Sequence, residues 1–299
     1  MKRVLLILFL ISALLLSGCS YVDNGKTTDN GKENTDPASE GYPSDIAVWE
    51  SGIKVIFFDV GKGDAIAIRT ENSTVLIDCG YTGSGQGIAD ALINAGVKKI
   101  DKLIITHFDK DHVGGAGLII RYFEIGEVIF SSYSQDNEES KAFRMAMSLK
   151  GTEGYIPKDN YSFELDGVVY YVYPPSADGY SENVYNNASI VVKAVYKEKS
   201  FLFTADIDEE RVEEILKSKD DFSCDVLKAP YHGNNFSALG DFFKMTGAQY
   251  AVVTSSDSQA EAAKTLKKLS KAGMVYYLTR NGSVIVSSDG KSLTISQTK

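Results

Sequence analysis

The stretch that decides the fold reads Lys102-Leu103-Ile104-Ile105-Thr106-His107-Phe108-Asp109-Lys110-Asp111-His112-Val113-Gly114-Gly115. Leu103 to Ile105 form a short apolar run, the mark of a buried strand, and the run stops at Thr106. His107, Asp109, Asp111 and His112, all able to ligate a metal, follow within six residues. In layered α/β structures, sites gather at the carboxyl ends of strands. His107 and Asp109 are two apart and project to one side of an extended segment. Asp111 and His112 reach elsewhere if the backbone turns, so one loop is able to address two metal positions. Gly114 and Gly115 let the next helix begin tightly.

Working outward, the other chemistry-bearing residues fall at similar places. The chain has three histidines in 299 residues, and the third, His232, lies in Ala229-Pro230-Tyr231-His232-Gly233-Asn234 after the apolar strand Asp225–Lys228. Between the two histidine segments, Phe201-Leu202-Phe203-Thr204-Ala205-Asp206 is another strand ending in an acid. Composition bounds the rest. A formal charge of −9 and a pI near 5.0 argue against a protein that coats nucleic acid through bulk positive charge. Three cysteines are too few for a disulfide scaffold. Cys79 and Cys224 lie in apolar segments and are read as small buried residues.

The amino terminus reads as processing signal and not as fold. Lys2 and Arg3 precede a mostly apolar run, Val4 to Leu16, and then Leu16-Ser17-Gly18-Cys19. A basic start, a short apolar stretch and a small-residue junction describe a signal peptide over residues 1–18. Residues 19–45 are rich in Asn, Asp, Gly, Lys, Thr and Glu, a composition that forms no core and suits a flexible tether. Loss of Lys2 and Arg3 with the signal takes the formal charge from −9 to −11. The body then runs over residues 46–299 with no second linker.

Within it, strands are expected at 54–59, 64–70, 74–78, 102–106, 168–173, 189–196, 201–204, 225–228, 250–254 and 275–278, with Glu198-Lys199 turning one hairpin. Helices are expected at 86–95, 113–123, 209–218, 239–245 and 260–272. A last hairpin joins 283–287 to 292–296 through Ser288-Asp289-Gly290. Strands interspersed with helices indicate α/β or α+β layers.

Thr106 to Gly115 resembles the signature loop of the metallo-β-lactamase superfamily. The form with Asp109 at the second ligand position resembles the hydrolase domain of ComEC-type competence proteins. Phe57-Phe58-Asp59-Val60-Gly61-Lys62-Gly63-Asp64-Ala65 is similar to that family's opening strand and turn, with Lys62 where Gln is usual. Leu76-Ile77-Asp78-Cys79-Gly80, Asn187-Ala188-Ser189, Thr204-Ala205-Asp206 and Asp225 to Gly233 follow in the family's order. The junction at Cys19 resembles a lipobox, which implies a lipidated Cys19 and a protein held on the outer face of the cell membrane.

The resemblance implies an α+β fold, an αββα sandwich of two mixed sheets with helices outside. It implies two divalent ions, Mn²⁺ or Zn²⁺, with His107 and Asp109 on one. Asp111, His112 and His232 would hold the other, and Asp206 would bridge. Three carboxylates among six ligands lean the site toward Mn²⁺, against an affinity order that favours zinc. Asp59, Asp64 and Asp78 would orient ligands or hold the turn. Two such ions activate a hydroxide for attack on a phosphoryl or carbonyl centre. The implied activity is a hydrolase acting on phosphodiesters, in nucleic acid or a cell-wall polymer, and no protein partner is evident. Asp111, Lys228 and Tyr231 are the candidate catalytic residues. Lys228 would neutralise a phosphate oxygen or stand as a solvated strand-end lysine, and Asn187 and Ser189 are weaker candidates for substrate contact. Tyr231 replaces the first of two adjacent histidines usual in the family, and no histidine lies from 113 to 231 to supply an additional ligand. Those departures motivate an alternative, a non-catalytic surface module that keeps a partial metal site.

Overall fold

The structure, a computed structural model, describes residues 42–175 and 179–298. The expected signal peptide 1–18, Cys19 and the tether up to residue 41 lie outside the described residues. In chain order the strands are β1 Ile53–Phe57, β2 Ile66–Arg69, β3 Thr74–Ile77, β4 Lys99–Ile105, β5 Glu124–Phe130, β6 Gly154–Tyr155, β7 Tyr161–Leu165 and β8 Val168–Tyr173. Then come β9 Val191–Tyr196, β10 Lys199–Phe203, β11 Val226–Lys228, β12 Tyr250–Val253, β13 Val275–Leu278, β14 Val284–Ser288 and β15 Leu293–Gln297. The helices are α1 Ser84–Asn94, α2 Lys110–Val113, α3 Ala116–Tyr122, α4 Glu138–Lys150, α5 Val184–Asn187, α6 Glu209–Lys217, α7 Leu239–Thr246 and α8 Ala263–Lys271.

The period-two alternation of strand side chains fixes how these elements stack. In β1, Ile53, Val55 and Phe57 enter the core between two sheets, while Ile56 enters a core shared with helices. In β4, Ile104 faces the other sheet, and Leu103 and Ile105 face the helical side. Each strand that is apolar on both faces therefore has a layer on both sides. One sheet among the described residues has the order β15-β14-β1-β2-β3-β4-β5-β6, the other β13-β12-β11-β10-β9-β8-β7. Both are mixed: β3, β4 and β5 run parallel, as do β10 to β13, and the remaining neighbours other than β5–β6 pair antiparallel. Residues of α1, α3 and α4 cover the first sheet, and those of α6, α7 and α8 the second. This is the αββα sandwich that the resemblance implies.

Several local expectations shift. The expected helix 113–123 divides into α2 and α3 at Gly114-Gly115. A Cβ on Gly114 would stand 2.5 Å from the Thr82 amide nitrogen, and one on Gly115 would stand 2.4 Å from the Cys79 carbonyl oxygen. Both glycines are needed because the ligand loop packs directly on the turn after β3. Gly115→Ala is expected to cost about 1–3 kcal/mol by overpacking, read as a lower urea midpoint at unchanged slope; an unchanged midpoint would show that this contact relaxes freely.

The β9–β10 hairpin turns at Lys197-Glu198, one residue earlier than expected, with Lys197 at φ 54°. Elements in 124–167 carry weak patterns. α4 buries four residues, Ser140, Phe143, Ala146 and Met147, of thirteen, and starts from an Asn137 cap that accepts the Ser140 amide at 2.8 Å. Cys79 and Cys224 are free and buried. No helix of the described residues is long and apolar enough to cross a membrane.

Candidate metal centre

Parallel strands bring their carboxyl ends to one edge, so the loops after β3, β4, β10, β11 and β12 meet there. The loop after β4 is tied to the turn after β3, where the Cys79 amide donates to the His112 carbonyl at 2.8 Å, and to the loop after β1, where the Asp64 amide donates to the Asp111 carbonyl at 3.1 Å. It is tied to the second sheet as well, where the Ile190 amide donates to the Thr106 carbonyl at 3.0 Å. The loop backbone is unusual at four non-glycine residues in the left-handed region: Asp78 (φ 56°), Ala205 (φ 49°), Tyr231 (φ 49°) and His232 (φ 53°). Each costs on the order of 1–3 kcal/mol and persists where the surroundings over-determine it. Tyr231 and His232 hold their side chains over the site through that strain.

Asp111, His112, Asp206 and His232 converge, with ligand atoms all within 4.8 Å of one another. Asp206 sits centrally, its Oδ1 3.3 Å from His112 Nε2 and its Oδ2 2.9 Å from His232 Nε2. Asp111 Oδ2 is 3.4 Å from His232 Nε2. The two Nε2 atoms face each other at 3.3 Å. Alongside, the His107 ring centroid lies 4.1 Å from that of His112. His107 Nε2 is buried without a hydrogen-bond partner, 3.7 Å from Asp109 Oδ2.

The second ring nitrogens show which way the imidazoles are fixed. His112 Nδ1 lies 2.7 Å from Asp78 Oδ2, and a carboxylate there requires Nδ1–H. Thr254 Oγ1 donates to Asp64 Oδ1 at 2.7 Å, so it is left to accept from His232 Nδ1–H at 2.9 Å. Thr106 Oγ1 donates to Asp78 Oδ2 at 2.6 Å and is left to accept from His107 Nδ1–H at 3.1 Å. With Nδ1–H committed in this way, all three histidines leave Nε2 as the atom that faces the acids, the one a metal would take in place of a proton.

Three carboxylates, three oriented imidazoles and one orphaned buried nitrogen fit divalent cations. The cluster also attracts positive charge by itself. Burial opposes charge on His112, but the Asp206 and Asp78 carboxylates outweigh it and raise its pKa well above the usual value. For Asp111, burial pushes upward, and the His232 hydrogen bond and the charge of His112 pull the pKa down to about 2.

The other sequence-derived candidates fall as follows. Lys228 is fully buried and is not a solvated strand-end residue; its Nζ lies 2.7 Å from Asp64 Oδ2 and 3.4 Å from Asp206 Oδ1, and donates to the Ala205 carbonyl at 2.7 Å. Those partners place it beneath the acids, because the strand continues straight into the core. Tyr231 is half-buried; burial, then the Asp206, Asp208 and Asp109 charges, raise its pKa. Lys62 Nζ stands 5.7 Å over its ring. Asn187 does not reach for substrate. Its side chain accepts the Asp208 and Arg211 amides at 2.9 and 3.1 Å and so serves the start of α6. Ser189 Oγ is 3.3 Å from His107 Nδ1 and supports that ring. Asp59 accepts the Gly61 amide at 3.2 Å and holds the turn. Sequence reasoning missed Thr106 and Thr254 as relay hydroxyls, and Gln135, whose amide donates to Asp109. A lone threonine after a strand carries no distinguishing signal.

A sequence model described as the metallo-beta-lactamase superfamily matches residues 58–255. The chain is 28% identical over 218 residues to competence protein ComA of Neisseria gonorrhoeae, across 72% of this chain and 28% of that protein. It is 23% identical over 219 residues to ComE operon protein 3 of Bacillus subtilis (strain 168), across 67% of this chain and 28% of that protein. It therefore spans just over a quarter of these relatives' length. Among solved structures, the metallo-beta-lactamase fold protein YhfI from Bacillus subtilis aligns with TM-score 0.51 at 10% identity, over 75% of this chain and 95% of that one. CmlA beta-hydroxylase, as its E377D mutant, aligns with TM-score 0.50 at 13% identity, over 77% and 53%.

Proposed function

Because the chain belongs to the metallo-β-lactamase superfamily, we propose that it is a metal-dependent phosphodiesterase or nuclease. The observation that carries this reading is the convergence of the His112 and His232 Nε2 atoms on Asp111 and Asp206, with His107 and Asp109 paired alongside. His107 and Asp109 would hold one ion, Asp111, His112 and His232 a second, with Asp206 shared. Such ions supply Lewis acidity and lower the pKa of a bound water toward neutrality.

The residues of the chain do the rest. Asp78 and Thr254 keep His112 and His232 in one tautomer, so neither ring reorients during turnover. Lys228 offsets the charge of Asp64 and Asp206 from below. The Tyr231 hydroxyl donates a hydrogen bond from the mouth of the site to a leaving oxygen, and Lys62 adds positive charge beside it. Relationship to competence proteins favours a phosphodiester over a lactam. The apolar run before Cys19 supports an anchored protein outside the cytoplasm, with residues 46–299 as its hydrolase body.

The test is turnover of bis-p-nitrophenyl phosphate and of a labelled oligonucleotide by the full chain with Mn²⁺ or Zn²⁺. Metal-dependent release that EDTA abolishes is expected. A protein that binds no metal and stays inert on both would instead be a non-catalytic surface module, the reading that Tyr231 and the absent additional histidine favour. Retention of the protein in the membrane fraction, lost on Cys19→Ala, tests the anchor.

A further inference from the structure

Helix α8 carries Lys264, Lys267, Lys268 and Lys271 at i, i+3, i+4 and i+7, one face of a helix, while Thr265 and Leu269 are buried on the other. In a chain of net charge −9 this is a concentrated positive face. Among the described residues, Lys264, Lys267 and Lys271 form no ion pair. Lys268 is differently engaged. Its Nζ donates to the Phe236 carbonyl and, at 3.4 Å, to that of Ser237, and so fastens the segment 235–237 against α8. Between them lies a groove of about 730 Å³ lined by the lysines and by Asn235, Phe236 and Glu209. The Glu209 carboxylate keeps its negative charge but is turned to the loop, where it accepts the Ser237 and Ala238 amides at 2.7 and 3.0 Å, and among the described residues it forms no ion pair with the lysines.

The groove adjoins, along the chain, the loop that carries His232. Its wall begins three residues after His232. That connecting loop is clamped to α8 by the Ala262 amide on the Gly233 carbonyl at 3.0 Å and by Thr265 Oγ1 on the Asn234 carbonyl at 3.1 Å. Lys264 and Lys271 are about 10 Å apart along the helix axis, enough to span more than one phosphodiester. The half-buried Phe236 offers a ring where a base is able to stack.

We propose that this groove docks single-stranded nucleic acid, with phosphates on Lys264, Lys267 and Lys271 and a base against Phe236. Delivery of the strand to the metal centre rests on the phosphodiesterase reading; docking itself does not. The aromatic ring favours a strand with bases over a base-free phosphodiester polymer, and the local lysines overcome the repulsion of the acidic remainder.

The test is fluorescence anisotropy of a labelled 20-nucleotide single strand on the full chain from 50 to 200 mM salt. The variant Lys264→Ala/Lys267→Ala/Lys271→Ala is expected to bind at least tenfold more weakly, with the log–log salt slope reduced by about 2 for three lost phosphate contacts. The corresponding triple arginine variant keeps both affinity and slope. Phe236→Leu weakens the strand severalfold and leaves binding of polyglycerol phosphate unchanged. The proposal is overturned if the triple alanine variant binds the strand as wild type. It is equally overturned if those substitutions affect only polyglycerol phosphate or anionic vesicles. Turnover of bis-p-nitrophenyl phosphate, expected to be equal in wild type and triple alanine variant, separates the two readings. A wild type that binds through the lysines but never turns over keeps the groove and loses the hydrolase.

Discussion

Asp206→Ala is expected to abolish stoichiometric binding of Mn²⁺ or Zn²⁺ and to lower phosphodiester turnover by well over the roughly hundredfold typical of losing a supporting outer residue. Among the described residues Asp206 is the acid that offers one oxygen to His112 Nε2 and the other to His232 Nε2, at 3.3 and 2.9 Å. Deleting it removes the carboxylate that joins the two imidazoles assigned to one ion. The imidazoles would remain oriented by Asp78 and Thr254, so the fold should survive, and calorimetric metal titration beside a denaturant melt separates site loss from unfolding. Asp59→Asn is the control, since Asp59 holds a turn and lies outside the converging ligand set. Full metal occupancy in Asp206→Ala would remove Asp206 from the ligand set.

Lys228→Met is expected to destabilise the protein by about 3–5 kcal/mol, the usual cost of leaving a buried partner charge unpaired. Lys228 is fully buried, and Asp64 and Asp206 beside it are 2% and 3% exposed at the side chain. Methionine fills similar space but gives those carboxylates no cation and leaves the Ala205 carbonyl with only the Tyr231 amide as donor, at 3.1 Å. Burial opposes charge on the lysine, yet Asp64 and Asp206 hold its pKa above the ordinary value. Urea unfolding of Lys228→Met, Asp64→Asn and the double variant completes the test. The double variant should recover part of the loss, because it removes one orphaned charge. Divalent metal should also recover part of it, because an ion on Asp206 replaces the lost cation and binding stabilises the native state. A neutral Lys228→Met would show that the acids find other partners.

The ligand loop was legible because its grammar is local. An apolar run that ends in His107-Phe108-Asp109-Lys110-Asp111-His112 declares a strand and a site in one reading, although the glycines after it do not by themselves declare that the helix breaks there. Strands with apolar side chains on both faces, such as β4, announce a layered fold. Less legible were elements such as α4 and β5, where few side chains are buried and partial burial blurs the period. Lys228 stays open in the sequence between a phosphate-neutralising residue and a solvated strand end for a related reason: one charged residue at the end of an apolar strand looks the same whether it meets water or two carboxylates.

The sequence by itself determined the strand ends, the order of the ligand-bearing motifs and the residue types available to a cation. Those are properties of neighbouring residues and of side-chain chemistry. Tertiary structure alone decided which groups share a charge and which way each ring faces. Asp64 reaches Thr254 across 190 positions, and His112 reaches His232 across 120, distances in sequence that no local pattern encodes. The same packing lays the lysines of α8 beside the loop that carries His232, and turns an acidic chain locally basic.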